Sequence, residues 1–253
     1  MSGKCKIEIR GLEKSFGANR VLRGVDLKIG EGEITVIIGR SGEGKSVLIK
    51  HIIGLLRPDG GEILIDGENI AALRGAELNR MRVKFGMLFQ GGALFDSMTV
   101  GDNISFPLRE HTRLSGEEIS KRVRESLHLV GLDGIEERMP DQLSGGMRKR
   151  VALARAIIRE PEILLYDEPT TGLDPLLSDS IDRLISRMRD SLGITSVVIS
   201  HDIKHAMEFA HTIAMLHEGR IIASGSPAEI EADENPVVRQ FLSGSSEGPI
   251  QVL

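Results

Sequence analysis

The chain has 253 residues, 27% charged and 40% hydrophobic, room for one large or two modest domains with a substantial core. Its formal net charge of −5, with Lys and Arg scattered among acids, is a poor electrostatic footprint for nucleic acid, so no nucleic-acid partner is expected. A single cysteine, Cys5, rules out an internal disulfide framework and fits a reducing compartment, and no apolar run approaches the roughly 18 residues of a membrane-spanning helix.

The opening residues lead into no long apolar core, so no secretory signal is expected. Residues 6–10 and 21–29 alternate like β-strands, and Cys5 reads as a small apolar residue of the first. Residues 33–38 form an apolar strand, a Gly-rich loop follows, and a helical pattern runs over 48–56 until Pro58, Gly60 and Gly61 stop it. Strands are predicted at 62–66 and 84–90. From about 97 to 159 the chain turns mostly helical. Ser115 and Glu118 have capping-box spacing, and a second helix begins near Ser144. Alternation then resumes with a strand at 163–167, a helix at 176–192, a strand at 194–200 and a hairpin at 212–216 and 220–223. The continuous apolar runs suit parallel strands buried on both faces. The pattern is one α/β core with a helical insertion, and residues from 243 onward read as a tail.

The loop Gly39, Arg40, Ser41, Gly42, Glu43, Gly44, Lys45, Ser46 lies between a strand and a helix, the context that makes a phosphate-loop (Walker A) match specific. Its glycines let main-chain N–H groups turn inward around a polyphosphate, and the helix N-terminus adds partial positive charge. Lys45 would reach the β- and γ-phosphates and the Ser46 hydroxyl would ligate Mg²⁺. Arg40 and Glu43 stand at variable positions of the motif. Asp167 and Glu168 end the strand at 163–167, as in a Walker B segment: Asp167 would hold Mg²⁺, and Glu168 could accept a proton from the attacking water. The rival reading of these acids is a cap on the next segment.

Leu143, Ser144, Gly145, Gly146 and Met147 alone could be a Gly-rich helix cap. Placed ahead of Asp167 and behind the phosphate loop, they match the signature of the ATP-binding cassette family, which the chain resembles over nearly its full length. The resemblance implies a P-loop NTPase with a RecA-like core, an antiparallel β-subdomain and an inserted α-helical subdomain. It places the core and β-subdomain in 1–96 and 160–242 and the helical subdomain over about 97–159, with a tail at 243–253. It implies two copies sandwiching two ATP molecules head to tail, with Ser144, Gly145 and Gly146 contacting the γ-phosphate held by the opposite copy. Gln90 resembles the residue that senses the γ-phosphate through Mg²⁺, and His201 the switch histidine that orients the water and Glu168. Asp174 matches the loop that crosses the dimer interface, its rival reading being a Pro-containing turn. Phe16 matches an aromatic that stacks on adenine, its rival reading being a core Phe.

Residues 86–95, 106–112, 139–147, 238–242 and 247–249 resemble, more narrowly, the ATPases of Mla/MCE-type phospholipid transporters. That resemblance implies a permease partner, an MCE lipid-binding protein, a small regulatory subunit and a place on the cytoplasmic face of the inner membrane. Two alternatives share the catalytic motifs: a soluble ATPase of the iron–sulfur assembly type, and an importer ATPase for another small substrate.

Overall fold

A computed structural model describes residues 4–251. In chain order the elements are β1 (Cys5–Phe16), β2 (Asn19–Gly30), β3 (Ile34–Ile38), α1 (Lys45–Ile52), β4 (Gly60–Ile65), β5 (Glu68–Asn69), α2 (Gly75–Arg82) and β6 (Phe85–Leu88). Then come α3 (Val100–His111), α4 (Gly116–Leu129), α5 (Gly145–Ile157), β7 (Ile163–Asp167), α6 (Pro175–Leu192) and β8 (Thr195–Ile199). The chain closes with α7 (Ile203–Phe209), β9 (Thr212–His217), β10 (Arg220–Gly225), α8 (Pro227–Glu231) and α9 (Pro236–Ser243). It divides into two compact units, one built from residues up to Arg82 with those from Thr195 onward, the other from Val83–Ile194. None of the helices among the described residues is long and apolar enough to cross a membrane.

The first unit holds an antiparallel sheet in the order β2-β1-β4-β5. Ile7 faces Ile29 and Ile65 on its two neighbours, and Ile9 faces Leu27 and Ile63, all of them buried. On the opposite face Glu8 pairs with Arg10 at 2.7 Å and Lys28 at 3.2 Å. Burying each Ile is worth about 1.5–3 kcal/mol, whereas a solvent-exposed ion pair is screened by water and contributes little, so the apolar face sets the register. Cys5 starts β1 with its side chain exposed rather than packed. In the second sheet of this unit β3 runs parallel to β8 and β9, and β10 pairs antiparallel with β9. All five residues of β3 and of β8 are buried, which is why their runs are continuously apolar. Glu218 and Gly219 both take positive φ in the β9–β10 turn, the twist a two-residue hairpin needs.

In the second unit β6 and β7 pair in parallel. Helix α3 buries Val100, Ile104 and Leu108, and α4 buries Ile119, Val123 and Leu127, each a stripe four residues apart. The capping box expected at Ser115 and Glu118 is formed. The helix after the phosphate loop starts at Lys45 and stops at Ile52, earlier at both ends than its apolar pattern suggested, because Gly44 in the left-handed region opens it. Short helices α2, α7 and α8 carry too little periodicity to be read from sequence. The tail is not extended: α9 reaches Ser243, Gly244 caps it, and Ile250 folds back to 7% exposure, its N–H and C=O both bonded to the buried Gln240 amide. The tail's last residues, 252–253, and residues 1–3 lie outside the described part.

Candidate nucleotide-binding and hydrolysis residues

The first unit builds the phosphate loop directly on β3. A Cβ on Gly39, whose φ is +149°, would lie 2.3 Å from the Leu216 carbonyl oxygen of β9, so the tight exit from the sheet requires glycine. Gly44, at φ +100°, opens α1 without any side-chain cap on the helix N-terminus. A capless N-terminus turned by glycines offers main-chain N–H donors to an anion. Lys45 is buried, and its ammonium donates to Gly39 O at 2.7 Å and Arg40 O at 2.8 Å, spanning the loop. Ser46 follows it in the first turn of α1. Ser41 and Gly42 are exposed.

The two variable positions have contacts that sequence reading missed. Glu43 accepts the Glu218 N–H at 2.5 Å and meets His217 Nδ1 at 3.2 Å, tying the phosphate loop to the β9–β10 turn. Arg40 Nη1 donates to the Gln251 carbonyl at 3.1 Å, tying it to the C-terminal segment. Neither link was legible, since both partners lie more than 170 residues away. Phe16 ends β1 at 48% exposure with the Lys14 ammonium 5.5 Å from its ring centre, so it is not a core residue. His201 is exposed immediately beyond β8, and Asp202 caps α7 by accepting the His205 N–H at 3.1 Å.

In the second unit the parallel register sets Leu88 beside Tyr166, so two residues further on Gln90 and Glu168 arrive together. The Gln90 amide donates to Glu168 Oε2 at 2.9 Å, and Thr171 Oγ1 donates to the same oxygen at 2.9 Å. Glu168 itself takes φ +49°, a left-handed conformation costly for a residue with a side chain. Asp167, at the end of the wholly buried β7, is 8% exposed. These acids do not cap the next helix, which Asp174 caps by accepting Leu176 and Leu177 N–H groups at 3.0 Å each.

Ser144 caps α5 through the Met147 N–H at 3.3 Å. Ser144 and Gly145 are exposed and Gly146 is buried, where a Cβ would crowd Leu177 at 3.3 Å. The same helix carries two cations that sequence reading passed over. Lys149, 6% exposed, donates to the main-chain carbonyl of Gln90. Burial lowers its pKa, while the charges of Glu168 and Asp167 oppose that shift. Arg155 donates to Gly92 O and Ala93 O at 2.8 Å each and lies 5.9 Å from the Phe95 ring centre; burial lowers its pKa too. The helix holds four basic residues, Arg148, Lys149, Arg150 and Arg155, so its composition did not mark which of them would reach the Gln90 loop.

A strand–glycine loop–helix with a buried lysine, joined in the same chain by a strand ending in two carboxylates, defines a P-loop nucleoside-triphosphate-binding protein. The comparisons narrow the class. Residues 22–171 match the family model described as ABC transporter. The chain is 46% identical over 244 residues to the probable ribonucleotide transport ATP-binding protein mkl of Mycobacterium leprae, covering 96% of this chain and 70% of that protein. It is 42% identical over 244 residues to the intermembrane phospholipid transport system ATP-binding protein MlaF of Escherichia coli K12, covering 96% of this chain and 91% of that one. The dimeric, post-hydrolysis structure of the ATP-binding cassette MJ0796 bound to ADP and Pi superposes with a TM-score of 0.80 at 35% identity, over 87% of this chain and 98% of that one. The chain therefore belongs to the ABC transporter family and is an ATP-binding cassette ATPase.

Proposed function

We propose that this ATPase powers phospholipid transport between two membranes. The observation that carries the reading is the match to MlaF, which spans nearly the full length of both chains. The mkl relative is slightly more identical but extends well beyond the match, so the lipid reading follows the relative of equal extent. Residues 1–242 then make one ATPase domain with its helical subdomain over about 97–159, and residues 243–253 a C-terminal tail. Two copies work head to tail against a permease at the cytoplasmic face of the inner membrane, with an MCE lipid-binding protein and a small regulatory subunit as further partners. Leu176, 84% exposed, stands with exposed Leu177 two residues beyond Asp174, an apolar surface suited to burial against a second copy. Exposed Phe89 and Phe95 flank Gln90 and suit a permease contact.

Within the site, N–H groups of residues 42–46 bind the β- and γ-phosphates, aided by Lys45, while Phe16 stacks on adenine. Water attacks the γ-phosphorus and gives its proton to Glu168 as the bond to the ADP oxygen breaks. Gln90 and Thr171 fix the carboxylate plane by holding its Oε2, and His201 orients the water. Ser144, Gly145 and Gly146 present the N-terminus of α5 to the γ-phosphate on the other copy, and Asp174 lies across that interface. The donor set fits Mg²⁺: the Ser46 hydroxyl, the Asp167 carboxylate and the Gln90 amide oxygen are hard oxygen ligands. Bound there, Mg²⁺ would neutralise charge building on the phosphate oxygens.

The test is reconstitution with the host's permease and MCE protein in vesicles carrying labelled phospholipid. ATP-dependent lipid movement that is lost with Lys45→Ala is expected. Movement of labelled ribonucleotide instead, or purification as a complex without any permease, would overturn the lipid reading.

A further inference from the structure

Strand β6 ends at Leu88, so the carbonyls of Gln90, Gly92 and Ala93 lie beyond its ladder with β7. Helix α5 supplies cations to all three. Lys149, one turn past the signature, donates to Gln90 O, and Arg155, about two turns further, donates to Gly92 O and Ala93 O. The loop is also anchored from its far side, where the buried Asn103 accepts the Phe95 N–H at 2.8 Å and donates to Phe95 O at 3.0 Å. The helix lies close enough to β6 that a Cβ on Gly86 would sit 2.4 Å from Ala156 O, so the cations and the loop cannot drift apart independently.

The Gln90 side chain meets Glu168, and the peptide that orients that side chain is the one Lys149 holds. We infer that Lys149 is a positioning residue: its buried ammonium fixes the main chain of Gln90 so that the Gln90 amide is delivered to Glu168. The helix that presents Ser144, Gly145 and Gly146 is thereby joined, through Lys149 and then Gln90, to the hydrolytic carboxylate of its own copy. A cation at this carbonyl is the working element, since a charged donor holds a carbonyl more strongly than a neutral one does. The inference rests on the roles proposed for Gln90 and Glu168.

The experiment uses the full chain with its permease and pairs Lys149→Met, which keeps the stem and removes the ammonium, with Lys149→Arg, which keeps a cation. Lys149→Met should lower kcat about tenfold, the scale seen when a group orienting a catalytic residue is lost, with KM for ATP nearly unchanged. Lys149→Arg should restore most of the loss. Because the chain contains no tryptophan, Phe89→Trp in the full chain measured without its permease places a single reporter beside Gln90, and its anisotropy should fall in the Met variant and recover in the Arg variant. Should Lys149→Met not fold, the same measurements on Lys149→Gln and Lys149→Arg decide the matter. Wild-type kcat in Met or Gln, or failure of Arg to recover activity and anisotropy together, overturns the inference. A Glu168→Gln variant run alongside separates the failures: normal turnover there would sink the hydrolytic reading itself, whatever Lys149 does.

Discussion

Around Gly39 the geometry is carried by main chain: glycines at positive φ, a strand buried on both faces, and a helix whose first N–H groups have no side-chain cap. Around Gln90 it is carried by side chains, with Gln90 and Thr171 on Glu168, Lys149 on Gln90, and Arg155 on Gly92 and Ala93. The first arrangement suits a group that must be bound, because peptide N–H donors are many and rigid. The second suits a proton acceptor, whose orientation can be adjusted one contact at a time. The contrast predicts that mutations near Gln90 change turnover, whereas mutations in the phosphate loop change binding or folding.

The largest effect expected is from Glu168→Gln. The amide has nearly the shape of the carboxylate but takes no proton from water, so kcat should fall by about 10²–10⁴-fold with ATP binding retained. Turnover near the natural rate would erase the distinction between the two regions. Next is Gly39→Ala, where the new methyl meets Leu216 O at 2.3 Å and the φ of +149° is foreign to alanine. A loss of about 3 kcal/mol in unfolding free energy is expected, measured by denaturant titration, together with weaker nucleotide binding. Full stability there would mean that the loop is less rigid than its glycines imply.

The same contrast decides what could be read from the sequence. The phosphate loop was legible because main-chain function leaves a local mark: glycines at fixed spacing, a lysine, and a strand before them. β1 and β2 were legible from alternation, and β3, β7 and β8 from continuous apolar runs, while their ends drifted because neighbouring strands and caps set them; the two-residue β5 was not legible. Glu168 was legible beside Asp167 at the end of an apolar strand, whereas Gln90 could be named only through family resemblance, and the parallel register of β6 on β7 that brings them together is a tertiary fact. Lys149, Arg155 and the Glu43–His217 contact left no local mark, since each depends on a partner far along the chain. Phe16 had two readings open, and exposure decided against the core.

Glu43 sharpens the boundary between the regions. Its side chain grips the β9–β10 turn, as that of Arg40 grips the C-terminal segment, so Glu43→Gln should act on binding and not on turnover. The neutral amide can still accept the Glu218 N–H but loses charge-assisted strength, so a cost of about 1 kcal/mol is expected. It should appear as a several-fold rise in KM for ATP at constant kcat. A fall in kcat with KM held would show that the first unit also tunes chemistry.

The smallest effect tests the helical part of the second unit as a bystander. Ser115 caps α4 by accepting the Glu118 N–H at 3.2 Å, and Glu118 accepts the Ser115 N–H at 2.8 Å and its hydroxyl at 2.7 Å. Ser115→Ala should cost about 1 kcal/mol of stability and leave kcat and KM untouched. Its dependence on pH has a definite sign. The bonds from Ser115 lower the Glu118 pKa in the folded chain. The carboxylate's contribution is therefore complete above the ordinary glutamate value and fades as pH falls through the lowered one. Denaturation midpoints of Ser115→Ala and the natural chain should differ most at neutral pH, and the gap should narrow in acid, where the hydroxyl's bond to the Glu118 carboxylate weakens while its acceptance of the Glu118 N–H remains. A gap that stays constant down to the acid limit would assign the capping energy to the hydroxyl alone, and a change in kcat would show that α4 reaches the network around Gln90.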